Sequence, residues 1–193
     1  MDFNKLRETA MDELAHGAGI IVSDFDPTTG TVDEADILYV TSGGIEFTDT
    51  PSFKDYGEDI DNCPKNTKEL KEIEDREVKV SFTALNFTEN TLKYGMNIAT
   101  STSATKGKKF TPTDTIPAAA FHDVWLLTNR HDGGGLAVKL INALTTGGFS
   151  ITTQDNDKGQ SDVEYTGHYS IKDKTVVPYE IYLLDTDVEA AAG

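Results

Sequence analysis

Residues 77–84 have the sequence EVKVSFTA, in which polar and apolar side chains alternate without a break. Successive side chains of a β-strand point to opposite faces of the sheet, so this period of two predicts a strand with one buried face. The residues predicted to face inward are Val78, Val80, Phe82 and Ala84. Those predicted to face outward are Glu77, Lys79, Ser81 and Thr83.

The last third of the chain continues the strand pattern. Residues 160–171, QSDVEYTGHYSI, alternate in the same way, and residues 136–144, LAVKLINAL, are apolar on both sides as in a central strand. In the alternating stretch we expect inward-facing Val163, Tyr165, Tyr169 and Ile171 and outward-facing Asp162, Glu164, Thr166 and His168. Further strands are predicted at GIIVSDF (19–25), ADILYVTSGGIEFTDT (35–50, with a bulge or a bend at its glycines), FHDVWLLT (121–128), FSITTQ (149–154) and YEIYLL (179–184).

Helices are predicted at two places. Residues 2–17 carry an apolar stripe at helical spacing and end at Gly17, and residues 88–97, TENTLKYGMN, form a helix capped by Thr88. The stripe of the first helix consists of Phe3, Leu6, Ala10, Met11 and Leu14. Residues 99–117, ATSTSATKGKKFTPTDTIP, are polar and predict a loop. Seven or more short strands with glycine-rich turns and few helices indicate a mainly β fold, a sandwich or a barrel.

Composition limits the possible functions. The chain has 193 residues, 33 acidic and 17 basic, for a formal net charge of −16. This length favours one domain, and such a negative surface argues against binding nucleic acid through its phosphates. The apolar fraction of 37% is low, so either loops are extensive or other subunits complete the surface. Residues 1–20 lack the apolar core of a signal peptide and no apolar run spans a membrane, so we expect a soluble chain.

Motifs for catalysis or metal binding are weak. DFDPTTG (24–30) and DNDKGQ (155–160) resemble calcium loops but misplace the glycine and lack the final glutamate, so they predict turns. HDGGG (131–135) predicts a hairpin turn, since no nucleophile accompanies it. Cys63 is the only cysteine, and the four histidines are scattered: His16, His122, His131 and His168. We predict no catalytic residue, no metal site and no cofactor, and therefore a structural or binding protein and not an enzyme.

Several stretches together resemble the major tail tube proteins of long-tailed bacteriophages with flexible, non-contractile tails, a family related to type VI secretion tube proteins. The resemblance covers roughly residues 19–184 and rests on the order of its phrases, because the family has no catalytic signature. The phrases are GIIVSDFDPTTG, TSGGIEFTDTPSFKDYGEDIDNCPKNTKELK, NALTTGGFSITTQDNDKGQ, EYTGHYSI and VPYEIYLL.

The resemblance implies a single domain (1–193): two antiparallel sheets in a sandwich, one flanking helix at residues 88–97, and a projecting loop over about residues 48–72. Residues 1–17 (the N-terminal helix or arm) and 185–193 (a C-terminal tail) lie outside it. It also implies six-copy rings that stack into a tube, through which double-stranded DNA passes during genome ejection without specific binding. Tape measure, tail terminator and distal tail proteins would be its partners. The subunit would be made in the host cytoplasm and reside in the virion tail.

Residues 56–75, YGEDIDNCPKNTKELKEIED, lie in or beside the projecting loop, and residues 57–67 lack strand or helix periodicity. Loops of this length in compact domains are usually functional, so we predict an arm that contacts a neighbouring subunit or ring. A mobile loop without a partner is the alternative. The candidate contact residues are Phe53, Tyr56, Glu58, Asp59, Ile60, Asp61 and Lys65.

Acidic residues would also suit the wall of a DNA channel, because carboxylates repel phosphate whereas rings of cations would hold the duplex. Glu77, Asp162 and Glu164 are the candidates for this wall, and the alternative is that they face solvent outside. A second function stays open: a monomeric β-sandwich that binds carbohydrate or a receptor on a phage or cell surface. That module needs exposed aromatic residues on a concave face, whereas the tyrosines are dispersed and Trp125 is predicted to be buried.

Overall fold

The computed structural model describes residues 7–185 and is mainly β, as the sequence predicts. One α-helix, α1 (Glu89–Gly95), and three short 3₁₀ turns accompany nine strands in this part of the chain. The strands are β1 (Ala15–Val22), β2 (Thr41–Asp55), β3 (Lys71–Ala84), β4 (Ala99–Ala104), β5 (Gly107–Pro112), β6 (His122–Arg130), β7 (Gly135–Thr145), β8 (Ser161–Thr166) and β9 (Tyr179–Leu184).

Two antiparallel layers pack against each other as a sandwich. Sheet A has the order β1-β6-β7-β9, and sheet B has the order β2-β3-β8. Strand β7 joins them, because it pairs with β6 and β9 along most of its length and with β8 at Leu144 and Thr145. The change of sheet follows Asn142, whose φ of 50° lies in the left-handed region. β7 is therefore the central strand that its apolar sequence predicts.

The core lies between the two sheets, and the alternation of β3 and β8 is confirmed there. Val78, Val80, Phe82 and Ala84 are at most 6% exposed, and Val163 and Tyr165 of β8 are equally buried. They pack against Ile21, Val124, Leu126, Val138 and Leu140 of sheet A. Each fully buried aliphatic side chain of this kind contributes roughly 1.5–3 kcal/mol by leaving water.

A smaller core covers the other face of sheet A. Phe25, in the loop after β1, packs edge-on against Trp125 with ring centroids 5.3 Å apart, and Val22 and Ala137 complete the cluster. Trp125 is buried, as predicted.

Helix α1 forms where the sequence predicts it, because Thr88 supplies a complete N-terminal cap. The Thr88 side chain accepts a hydrogen bond from the Thr91 backbone N–H, and the Thr91 hydroxyl accepts one from the Thr88 backbone N–H. This reciprocal pair is a capping box. The carbonyl of Tyr94 accepts a hydrogen bond from the Thr145 hydroxyl, which ties the helix to the end of β7.

The predicted N-terminal helix is wrong over residues 7–17. Residues 8–14 form successive turns, and the strand β1 begins at Ala15, with His16 paired to Asn129 of β6. Met11 and Leu14 are 58% and 53% exposed, so the apolar stripe packs against no core. The backbone from Ala15 onward pairs with β6 instead. Phe3 and Leu6 lie outside the described residues, as does all of the predicted C-terminal tail except Asp185.

The predicted inward positions of two residues beyond β8 are wrong. The strand ends at Thr166, and Tyr169 and Ile171 beyond it are exposed, at 43% and 86%. Gly167 lies so close to its neighbours that an added Cβ would meet Leu140 Cδ1 at 2.8 Å and the Pro178 carbonyl oxygen at 2.9 Å. The chain leaves the sheet at this close approach, and the period of two stops.

Residues 149–154, a predicted strand, hold only an isolated bridge between Thr152 and Gln160. Residues 99–117, a predicted loop, contain instead the two-stranded hairpin β4–β5. Both faces of this hairpin are exposed, so its strands have no buried side that would produce an alternation of apolar residues in the sequence.

Candidate functional site: the acidic face and the hairpin arm

The outward side of sheet B carries the three residues predicted for a channel wall. Asp162 lies opposite Thr83 and Glu164 opposite Ser81 in the β3–β8 ladder, and Glu77 lies further along β3 on the same side. The structure therefore brings the three acids onto one face. We call the outward residues of sheet B the acidic face: Glu46, Thr48, Thr50, Glu77, Lys79, Ser81, Thr83, Asp162, Glu164 and Thr166.

The charge of the acidic face is set by four carboxylates and one ammonium group. Lys79 Nζ lies 2.9 Å from a carboxylate oxygen of Glu77 and 3.6 Å from one of Glu164. The hydrogen bond to Glu77 raises the pKa of Lys79, so this lysine stays protonated. Asp162 accepts a hydrogen bond of 2.9 Å from the Thr83 hydroxyl. Glu46, which the sequence did not single out, is the fourth acid.

A groove of about 620 Å³ runs along the acidic face beside the bulge of β2. Gly43 and Gly44 form the bulge with φ angles of 79° and 92°, which residues with a Cβ adopt only under strain. Glu46, Asp162 and Glu164 line the groove. The sequence signal GG within a strand pattern predicted a bulge or a bend at this position.

The projecting loop predicted over residues 48–72 is in large part a β-hairpin. β2 and β3 stay paired as far as Asp55 and Lys71, and only residues 56–70 connect them. β8 pairs with β3 over residues 79–84 and not beyond. Residues 50–76, which we call the hairpin arm, therefore extend from the sandwich as a two-stranded ribbon with a long tip.

Asp55 orders the tip of the hairpin arm. One of its carboxylate oxygens accepts a 2.9 Å hydrogen bond from the Gly57 backbone N–H, and the other accepts a 2.7 Å bond from the Asn66 backbone N–H. These two bonds, that to Asn66 first, lower the pKa of Asp55. The connecting segment thus has a specific backbone conformation although it lacks a regular element.

Apolar side chains of the hairpin arm are exposed, as the predicted contact role requires. Phe53, Tyr56 and Ile60 are 55%, 48% and 49% exposed. Ile73, the cross-strand neighbour of Phe53, is 50% exposed and was missed, although it is the only apolar residue in the charged run KEIEDRE. The ammonium of Lys71 lies 5.1 Å from the centre of the Phe53 ring.

The charged contact candidates lie in the tip. Glu58, Asp59, Asp61 and Lys65 are all exposed, and Glu58 pairs with Lys65 at 3.3 Å. Within the described residues, Asp59 and Asp61 form no ion pair.

In the two main sheets, three strands have an unpaired edge among residues 7–185. β2 pairs only with β3, β9 only with β7, and β1 with β6 apart from one bridge to Ile37. On β9, Ile181 and Leu183 are 52% and 65% exposed although they share the inward side of Val138 and Leu136. Such edges can pair with strands of another chain.

Between residues 7 and 185 no group of three or more His, Cys, Asp or Glu side chains could hold a metal ion. The predicted turns at residues 24–30 and 131–135 are confirmed, since Asp26 accepts hydrogen bonds from Thr28 and the second turn joins β6 to β7. His16 and His131 do meet, with ring centroids 6.1 Å apart.

No protein-family model matches the chain, and no curated protein matches it. In the stretch from residue 7 to residue 185, no helix has both the length and the apolar character needed to cross a membrane.

Proposed function

We propose that this chain is a structural virion subunit that polymerises into stacked six-membered rings and forms the tail tube of a bacteriophage. The observation that carries the proposal is the position of Glu77, Asp162 and Glu164 on one face of sheet B. The outer edge of this sheet, on strand β2, is unpaired among the described residues. The sequence resemblance given above supplies the ring number and the tube.

Edge pairing would build the ring. An unpaired edge leaves backbone N–H and C=O groups free for another chain, and a head-to-tail contact whose rotation closes gives a ring. Sheet B of each copy would then be extended at β2 by a strand of the next copy, with the acidic face turned toward the axis. The exposed apolar side chains of β9 and of the hairpin arm would be covered in the same assembly.

An acidic bore suits passage of DNA. A protein that neutralises several phosphates binds non-specifically with a dissociation constant of roughly 10⁻⁴–10⁻⁶ M, and repetition along a tube would multiply that retention. The acidic face has four carboxylates and a single lysine, Lys79. Its net negative charge repels phosphate. Double-stranded DNA would therefore slide through without a specific site. Tape measure, tail terminator and distal tail proteins would be the partners at the tube's ends and interior.

The groove on the acidic face favours a second candidate, a monomeric module that binds carbohydrate or a receptor. Its volume of about 620 Å³ falls within the range of small-molecule sites, about 300–1,000 Å³. Its lining is about equally polar and apolar, with Phe82 as its single aromatic residue and that residue buried. Sugar sites usually need an exposed aromatic face, so the groove supports this candidate less well than the free edges support assembly.

Electron microscopy of the concentrated protein tests the proposal. Rings or hollow filaments with a bore are the expected result, and sedimentation should show mass increasing with protein concentration. A species that stays monomeric at all concentrations, even with tail initiator proteins added, would overturn it. A glycan-array signal from that monomer would support the second candidate instead.

The role of the bore is tested with charge reversal. The triple variant Glu77→Lys, Asp162→Lys, Glu164→Lys should form tubes that retain double-stranded DNA, with retention decreasing as salt rises. The matched control reverses three exposed acids elsewhere: Glu34→Lys, Asp155→Lys, Asp157→Lys. Equal retention by both variants would refute an inward acidic face.

A further inference from the structure

The β4–β5 hairpin is a positively charged element in a strongly acidic protein. Residues 99–112 contain three lysines and no acid, within a chain of net charge −16. Lys108 pairs with Glu89 at the start of α1. Within the described chain, Lys106 and Lys109 have no ion-pair partner.

This hairpin forms a sheet of its own with both faces exposed. An isolated two-stranded hairpin is only marginally stable in water and usually needs packing on one face. Its strands are rich in Ser and Thr, and Phe110 is the only large apolar side chain in them. An additional surface is therefore needed to hold the hairpin in one conformation.

An apolar pocket of about 300 Å³ lies at the base of the same hairpin. Met96, Ile98, Pro112 and Phe149 line it, and Phe149 is 40% exposed. Lys109 is three residues from Pro112 along β5, a distance of about 10 Å, which a flexible lysine side chain can shorten. Apolar and basic recognition elements thus adjoin.

The tip of the hairpin arm has the complementary pattern. Ile60 is 49% exposed and lies between Asp59 and Asp61 in the sequence DID, both acids being exposed and without ion pairs in the described residues. The two segments form no ion pair with each other in the described chain, so each remains available to a second copy.

We infer that the arm tip of one copy docks on the β4–β5 hairpin of another, with Ile60 in the apolar pocket and Asp59 and Asp61 facing Lys109. This inference rests on the proposed assembly and names the partner surface of the hairpin arm. Exposed charge pairs contribute little affinity, but they set which surfaces meet and in what register. The contact should therefore weaken as ionic strength rises.

Charge exchange tests the contact. One variant carries Asp59→Lys and Asp61→Lys, and the other carries Lys109→Asp. Each alone places like charges opposite one another and should raise the protein concentration needed for polymer formation by at least roughly tenfold. An equimolar mixture should assemble again, because an arm of one variant can then meet a hairpin of opposite charge on the other. A single chain with all three changes should assemble as well.

Two controls complete the design. Circular dichroism and thermal unfolding establish that each variant is folded, and Asp155→Lys with Asp157→Lys repeats, in an exposed turn, the net-charge change of the Asp59→Lys, Asp61→Lys variant. A separate variant, Ile60→Ser, tests the apolar half of the contact and should also raise the protein concentration needed for polymer formation.

The outcomes separate the inference from the proposed function. A wild-type chain that never polymerises overturns both. Normal polymers from each reversed variant, or two defective variants that fail to restore assembly when mixed, overturn the inference and leave the tail-tube proposal standing. Restoration in the mixture supports it.

Discussion

Replacing Phe53 by serine separates the stability of the subunit from its capacity to assemble. Phe53 is 55% exposed, so about 100 Å² of its surface remains for a partner, taking roughly 200 Å² for a whole phenylalanine. At about 25 cal/mol per Å², covering that area contributes about 2.5 kcal/mol per contact. The variant should therefore need a protein concentration close to seventyfold higher for polymer formation.

The fold of the subunit should change little in the Phe53→Ser variant. Within the chain the variant loses the roughly 90 Å² of Phe53 that is already covered, a contribution of about 2 kcal/mol by the same conversion. It also loses an exposed cation–π pair with the Lys71 ammonium at 5.1 Å, of roughly 0.5–1 kcal/mol. At about 2–4 °C per kcal/mol, the melting temperature should fall by about 5–10 °C, and the unassembled variant should remain folded at 25 °C.

The assay is a pelleting series over protein concentration, with thermal unfolding of the unassembled protein in parallel. Ile171→Ser is the matched control, because Ile171 is 86% exposed but lies outside the hairpin arm. Wild-type assembly by the Phe53→Ser variant, or an equal defect in the control, would refute a contact made by this side chain.

Three further predictions concern stability. Gly167→Ala forces a Cβ to within 2.8 Å of Leu140 and should destabilise the fold by about 1–3 kcal/mol in urea unfolding, whereas Gly159→Ala, which meets Phe87 at 3.4 Å, should have little effect. Burial raises the pKa of Tyr39 and of Tyr165. Their contribution to the free energy of unfolding is therefore complete below about pH 10 and decreases above it, as the unfolded chain ionises. The Tyr165→Phe variant should flatten the decline of this free energy between about pH 9 and 11. Burial lowers the pKa of His122, so its contribution to the free energy of unfolding is complete above about pH 6.5 and is lost as pH falls. The His122→Phe variant should therefore lose less melting temperature than the wild type between about pH 7.5 and 5. An unchanged loss would contradict the role given to His122.

Alternation predicted the fold best where one side of a strand is buried. In β3 and β8 the period of two comes from real burial, and Val78, Val80 and Tyr165 are at most 1% exposed. The same pattern misled at Tyr169 and Ile171, because alternation does not reveal that the chain turns away at Gly167. The close approach at Gly167 involves Leu140 and Pro178, which both lie outside the alternating stretch of residues 160–171.

Elements without a buried face were missed. β4 and β5 are exposed on both sides, and their Ser, Thr and Lys residues are typical of a loop when read in sequence. The strands of the hairpin arm are similarly exposed, and the loop that the resemblance implied over residues 48–72 is in large part a ribbon whose backbone pairing extends to Asp55 and Lys71. The helical spacing of Met11 and Leu14 predicted a helix that does not form, because both side chains are exposed and no core packs against them to stabilise it.

The candidate surfaces were more predictable than the elements that carry them. Glu77, Asp162 and Glu164 share a face because alternation fixed their side of each strand, and the β3–β8 ladder placed the strands side by side. Ile73 was missed, since its exposure depends on how far the ribbon extends beyond β8.

Strand β7 has a mechanical consequence. Its backbone is hydrogen-bonded to sheet A over most of its length and to sheet B at its last two residues, so one continuous peptide segment belongs to both layers. The two layers cannot shear apart without breaking bonds of that one strand. Tension applied to a subunit along its strands would thus reach both layers together, and the sandwich should yield as a single unit under load.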